Sequence, residues 1–178
     1  EDMSGDTDLL SKLAAGDKAA MRMFFERYQA PLFAFLRSRG ADVQTADDAV
    51  QDAMLDVWRT AGQFRGHASL KTWLFTIARN KLIDRQRKSA RLSVVEEVPE
   101  TVDDALNAEA LLIASQDAER VRACLAGLKP NHLTAMRLAF YEELTYAEIS
   151  EIEGSPEGTI KARVHYAKRL LLRCLGAR

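Results

Sequence analysis

Residues 144–175 read LTYAEISEIEGSPEGTIKARVHYAKRLLLRCL, and the fold turns on what this stretch forms. Thr145 can cap a helix, and Glu148 three residues later completes a reciprocal capping box. Ala147, Ile149 and Ile152 supply the buried side of that helix. Gly154 permits a left-handed turn, Ser155 can cap the next helix, and Pro156 suits its first position. In the second helix Ile160, Val164, Ala167, Leu170 and Leu171 share one face. Thr159, Lys161, Arg163, His165, Tyr166, Lys168 and Arg169 fall largely on the others. The pattern matches a helix-turn-helix, whose second helix lies in the major groove with its N-terminal half toward base edges. It also fits an ordinary helix pair with a solvated basic face, so the hairpin alone leaves two readings open.

Working back toward the N-terminus, residues 130–141 and about 103–126 read as helices, the latter ended by Gly127. Before them SVVEEVPETVDD, residues 93–104, has no periodicity and reads as a linker. Ser69 can cap a helix over residues 70–88 whose Trp73, Leu74, Ile77, Ala78 and Ile83 point inward. AGQFRGHAS, residues 61–69, is a break with two glycines. Thr45 can cap a helix over residues 45–60, with Ala49, Val50, Ala53, Met54, Val57 and Trp58 as its apolar stripe. Asp17 can cap an earlier one carrying Met21, Phe24, Phe25, Tyr28, Leu32, Phe35 and Leu36. Pro31 should kink that helix or split it, and Gly40 ends it. A first short helix can start near Asp6 and Thr7 and stop at Gly16. Nowhere does a persuasive alternating strand appear. The expected fold is all-α: two small helical domains joined by an acidic linker, the C-terminal one a helix-turn-helix. The boundaries are residues 6–91, 92–112 and 113–178.

The 178 residues suffice for one ordinary domain or two small ones, and 47% hydrophobic with 29% charged residues suits a soluble protein with real cores. No run approaches the roughly 20 apolar residues of a membrane span, and no signal-peptide core is present, so membrane insertion is not expected. Glu1 and Asp2 before Met3 read as residues carried over from cloning and are set aside. Cys124 and Cys174 have no CxxC partner. They are expected to pack as isolated thiols in a cytosolic protein, with neither a disulfide framework nor a metal site.

A net charge of −1 argues against an indiscriminate DNA binder, yet the charge is segregated. Residues 79–91 hold six bases against one acid, a net of +5, and residues 156–178 hold the same balance. Residues 96–109 hold six acids and no base, a net of −6. Two basic patches thus flank an acidic tether of about 15–20 residues, which stretched out spans roughly 50–65 Å. FRGHASLKTWLFTIARNKLIDRQRK, residues 64–88, adds aromatics, a flexible loop and Asn80 to one of those patches. Such groups suit single-stranded nucleic acid, where an unstacked base needs a stacking surface and hydrogen bonds. Helical spacing alone would instead bury Trp73 and Phe75 in the core.

The order DAVQDAMLDVWRTAGQFRGHASLKTWLFTIARNKLIDRQRK, then an acidic linker, then LTYAEISEIEGSPEGTIKARVHYAKRLL, resembles a bacterial RNA polymerase sigma factor of the extracytoplasmic-function group of the sigma-70 family. The resemblance covers nearly the whole chain after Asp6. It implies that Asp48, Gln51, Asp52, Leu55, Asp56 and Trp58 bind core polymerase. It implies that Phe64, Arg65, His67, Ser69, Lys71, Arg79, Asn80 and Arg85 hold a flipped base and grip the strand of the −10 element. Thr159, Lys161, Arg163, His165, Tyr166 and Arg169 fall where the family meets the −35 element. Tyr166 and Ala162 depart from the residues common at their positions, which bears on which upstream bases are read. The implied partners are core polymerase, promoter DNA and an anti-sigma factor. No cofactor, metal or small-molecule substrate is implied, and the implied location is cytoplasmic.

Two rivals come from other classes. A homodimeric helix-turn-helix regulator explains the hairpin but gives the acidic third helix and the loop with Asn80 no purpose. An enzyme would need a nucleophile–base set, a phosphate loop or an HExxH motif, and His67, His132 and His165 are dispersed.

Overall fold

The computed structural model describes residues 3–92 and 116–176, and all regular structure among them is helical. The N-terminal half comprises α1 (Met3–Ala14), α2 (Lys18–Ser38), α3 (Val43–Thr60), a 3-10 turn (Ala61–Gln63) and α4 (Leu70–Leu92). The C-terminal half comprises α5 (Gln116–Ala126), α6 (Pro130–Phe140), α7 (Tyr146–Glu153) and α8 (Glu157–Gly176). The acidic linker and the expected helical stretch up to residue 115 lie outside the described residues.

The local signals act largely as their chemistry requires. Asp17 accepts the N–H groups of Ala19 and Ala20 at 2.8 and 3.2 Å and starts α2. Thr145 and Glu148 form both arms of the capping box, and Gly154 ends α7 at φ 62°. Three boundaries differ from expectation. Asp42, not Thr45, caps α3, because Thr45 donates both its N–H and its hydroxyl to the Asp42 carboxylate, at 2.8 and 2.6 Å. Those bonds hold the Asp42 carboxyl below its usual range. The helix α1 begins before Asp6, whose carboxylate instead accepts from Arg27 and from the Tyr28 hydroxyl on α2. Burial, with Asp6 beside it, pushes the Tyr28 phenol up to about 12. Pro156 precedes α8 rather than opening it, and its carbonyl accepts the Ile160 N–H at 3.1 Å.

Pro31 does not split α2, which runs unbroken from Lys18 to Ser38. Phe24 and Tyr28 before the proline and Leu32, Phe35 and Leu36 after it are all buried in the same core, so tertiary packing holds both turns in line. Phe75 of α4 meets Phe35 with ring centroids 5.1 Å apart, and Leu74, Ala78 and Leu82 complete that face of α4. Ile83, expected inside, is half-exposed; Leu82 takes its place.

The two halves are packed on each other. One buried apolar cluster runs from α2, α3 and α4 into Leu138, Leu144, Ile149, Ile152, Ile160 and Val164. A smaller one of Leu125, Leu128 and Ala167 lies beneath α5.

The expectation of two isolated thiols is overturned: Cys124 and Cys174 form a disulfide, with Cα atoms 5.8 Å apart. Their separation of 50 residues disappears because α5 lies along α8, an adjacency that sequence spacing does not encode. Cysteine usage therefore no longer argues for a reducing compartment. Cys174→Ser is expected to lower stability by about 2–4 kcal/mol, from the lost loop constraint. The check is the urea midpoint of the oxidised protein against the variant, and equal midpoints would count against a stabilising bond.

Candidate nucleic-acid interface

The loop before α4 is shaped by two contacts. Ser69 accepts the Thr72 N–H at 3.1 Å, which caps α4. Phe64 packs its ring on Trp73, centroids 5.0 Å apart, and both are half-buried. Phe64 is thus part of a wall, whereas Arg65, His67 and Ser69 stand exposed and Gly66 turns the chain at φ 71°.

Asn80 is exposed eleven residues beyond Ser69. At about 100° and 1.5 Å per residue it shares Ser69's flank of α4, roughly 16 Å further along the axis. The loop and the amide thus lie about three helical turns apart along one flank. Thr72 and Arg79 occupy the adjoining flank, which α7 covers. The Thr72 hydroxyl lies 3.4 Å from the Glu148 carboxylate, and Arg79 lies over the Gly154 turn, where a Cβ on that glycine would sit 3.6 Å from Nη2. Lys71 reaches Glu142, donating to its carbonyl at 3.1 Å with the carboxylate 3.7 Å away.

The expected −10 set is therefore divided. Arg65, His67, Ser69 and Asn80 are exposed, and Lys71 and Arg79 face the C-terminal half. Arg85 turns to α3, where it donates to Asp52 at 2.7 Å and to Asp48 at 2.9 Å.

That contact also changes the expected polymerase-binding face. Asp48 and Asp52 share the one Arg85, and Asp56 pairs with Lys81. Gln51 bonds to Asp47 at 3.1 Å, and Trp58 packs against the core. Leu55 alone among the six is a large apolar side chain held out to solvent, 50% exposed.

On α8, Thr159, Lys161, His165, Lys168 and Arg169 are exposed. Arg163 instead turns toward the N-terminal half and lines a cavity of about 310 Å³ with Arg39, Asn131 and Glu153. Tyr166 stacks on His132 of α6 at 4.9 Å, and the Arg169 guanidinium lies 5.6 Å from the same ring. Burial, then the charges of Lys129 and Arg163, lower the His132 pKa, so the ring meets Tyr166 uncharged at neutral pH.

Sequence reasoning missed Arg39, Lys81, His132, Glu142 and Glu153, and gave Glu148 its capping role without its second contact. Each acts through a partner far away in the chain, and no periodicity marks such pairs. Among the described residues no group of three or more His, Cys, Asp or Glu could hold a metal ion, and no helix is long and apolar enough to cross a membrane.

Residues 24–92 match the Sigma-70 region 2 family and residues 118–171 match Sigma-70, region 4. The ECF RNA polymerase sigma factor SigK of Mycobacterium tuberculosis is 32% identical over 178 residues, covering 97% of this chain and 95% of its own. SigL of the same species is 29% identical over 163 residues, covering 91% and 92%. Among solved structures, the sigma factor RpoE of Bartonella quintana, in complex with the anti-sigma factor NepR, superposes with a TM-score of 0.63 at 27% identity. It covers 88% of this chain and 96% of its own. With α7 and α8 as the helix-turn-helix and α3 and α4 carrying the loop and Asn80, the chain belongs to the extracytoplasmic-function group of RNA polymerase sigma factors.

Proposed function

We propose that this chain is a dissociable initiation subunit that brings core RNA polymerase to particular promoters and helps melt them, with no catalytic chemistry of its own. The single observation supporting the assignment of roles is the open flank of α4 that Ser69 and Asn80 share, with Arg65 and His67 exposed in the loop leading into it. Residues 6–91 bind core polymerase and the −10 element, residues 92–112 tether, and residues 113–178 read the −35 element through α8. Core polymerase docks on α3 through Leu55, with Gln51 beside it and Asp48, Asp52 and Asp56 available once Arg85 and Lys81 are released. Trp58 supports that face from behind. An anti-sigma factor, the partner in the RpoE complex, holds the chain inactive in the cytoplasm.

Melting costs a few kcal/mol for each unstacked base. Contacts to the extruded strand by Arg65, His67, Ser69 and Asn80 offset it, with Phe64 bracing the loop. Holding both promoter elements at once makes the second contact intramolecular, which raises selectivity without further contacts. Co-purification with core polymerase followed by run-off transcription tests the whole reading; no transcript from any candidate promoter would overturn it.

Two variants test the two surfaces. Asn80→Ala is expected to reduce promoter opening about tenfold or more with core binding intact, as one base-edge contact is worth roughly 1–3 kcal/mol. Unchanged opening removes Asn80 from the strand path. Lys161→Ala with Arg169→Ala is expected to weaken binding of upstream-element duplex and lower its salt slope by about 2, one for each lost phosphate contact. An unaltered slope would exclude that face of α8.

A further inference from the structure

Between Thr159 and Arg169 the exposed side chains of α8 are polar or basic with two exceptions, Ala162 and Tyr166. Four residues apart, these two lie about 40° around the helix and roughly 6 Å along it from one another. They therefore form one small apolar surface a turn long on the outward side. The core does not need them, because Ile160, Val164 and Ala167 fill the inward face. Tyr166 keeps 40% of its surface in solvent, so much of its ring is left for a partner.

That ring is not free to swing. His132, in the first turn of α6, meets it with centroids 4.9 Å apart, and the Arg169 guanidinium lies 5.6 Å from its centre. A helical tyrosine has two common χ1 rotamers, and a ring wedged beside it selects between them. Packing alone does not call for an imidazole here. The His132 Nδ1 is buried with no hydrogen-bond partner among the described residues, a cost that leucine would not carry. What leucine lacks is a planar ring to set against the tyrosine. The contact is also rigidly carried, since Ala135 and Leu138 of α6 share a buried cluster with Ile160 and Val164 of α8.

In the major groove guanine offers two acceptors, which a forked donor such as arginine reads best, whereas thymine adds a C5 methyl that needs only apolar surface. An alanine and a tyrosine ring supply the second kind of contact and not the first. We propose that Ala162 and Tyr166 form a reading site for one thymine of the −35 element. Its methyl lies against the Ala162 methyl and the Tyr166 ring, and His132 is the positioning residue that holds the ring there. The proposal rests on the reading of α8 as the −35 helix. Lys161 and Arg169 flank the pair and fix the register on the phosphates, and the apolar pair then reads the base.

Holoenzyme reconstituted from core polymerase and the full chain can select duplexes from a library randomised across the upstream element. The enriched sequences are expected to share a thymine at one position, which Ala162→Ser with Tyr166→Arg converts to guanine. No shared thymine, or one that survives in the double variant, would overturn the reading site. On the enriched duplex, replacing that thymine by deoxyuridine removes only the methyl and is expected to weaken wild-type binding about fourfold. The preference for thymine over uracil should disappear in Tyr166→Ala and in His132→Ala, and persist in His132→Phe, which keeps a ring against Tyr166. A His132→Ala protein that binds both duplexes more weakly with its preference intact would overturn the positioning role. An intact preference in Tyr166→Ala, whose exposed side chain the core does not need, would overturn the whole proposal even if His132→Ala does not fold. Failure of the −35 reading looks different: no upstream sequence is enriched, and Lys161→Ala with Arg169→Ala leaves the salt slope unaltered.

Discussion

Leu55→Gln is expected to weaken association with core polymerase by about 30-fold or more while leaving the fold intact. The side chain is 50% exposed at the centre of α3, so its replacement by a polar residue of similar length should change stability by less than about 0.5 kcal/mol. Its weight in binding comes from what surrounds it. Asp48 and Asp52 are engaged by Arg85 and Asp56 by Lys81, so these carboxylates begin the encounter already satisfied. Any ion pair they make with a basic partner replaces one they already have, and the net gain is small. Apolar area removed from water has no such exchange to make. A central apolar anchor ringed by polar groups is the usual site of a binding hot spot, worth about 2 kcal/mol or more. The measurement is a titration of labelled sigma factor with core polymerase. Leu172→Asp, on the 69% exposed Leu172 of α8, is the control. Equal losses in both variants, or none at Leu55, would remove α3 as the docking face.

Phe75→Ala carries the largest effect on stability, an expected loss of about 3–5 kcal/mol. Phe75 is fully buried, with its ring against Phe35 of α2 at 5.1 Å. Truncation loses the transfer of the ring and leaves a void that the helices cannot collapse to fill. Against a typical domain stability of about 5–15 kcal/mol, that is a large fraction. The readout is the denaturation midpoint, with Phe140→Ala for comparison. Phe140 is 51% exposed and contacts the Lys168 ammonium through its ring face, so its loss should stay under about 1 kcal/mol. Similar midpoints for the two variants would contradict the core as described.

Where sequence reasoning succeeded, the determining groups were near neighbours. The capping box of Thr145 and Glu148, the Asp17 cap, the Gly154 turn and the apolar face of α8 each depend on residues two to four positions apart. Even the misplaced caps are local: Asp42 and Thr45 compete for the same role three residues apart, and the carboxylate is the better acceptor. Exposure of Asn80 was legible for a similar reason, since an amide between Arg79 and Lys81 has no apolar face to join.

How the expected site residues group was not legible in the sequence. Of eight residues expected around one strand, Phe64 packs on Trp73 and the other seven divide among open solvent, α3 and the C-terminal half. Lys71 and Arg79 differ from Asn80 by which helix lies against them, not by their residue type.

The chain's own sequence determined that it is helical throughout its described length, where most helices start and stop, that its last pair is a helix-turn-helix, and that its charge falls in blocks. Each of these follows from hydrogen bonding and side-chain spacing within one or two helical turns. Tertiary structure alone decided that Cys124 bonds to Cys174, that Arg85 belongs to Asp48 and Asp52, and that Arg39 meets Glu153 across 114 positions. Such contacts exist because separate amphipathic faces share one core, and which distant charges then come together is settled by how those faces pack, an outcome with no period along the chain.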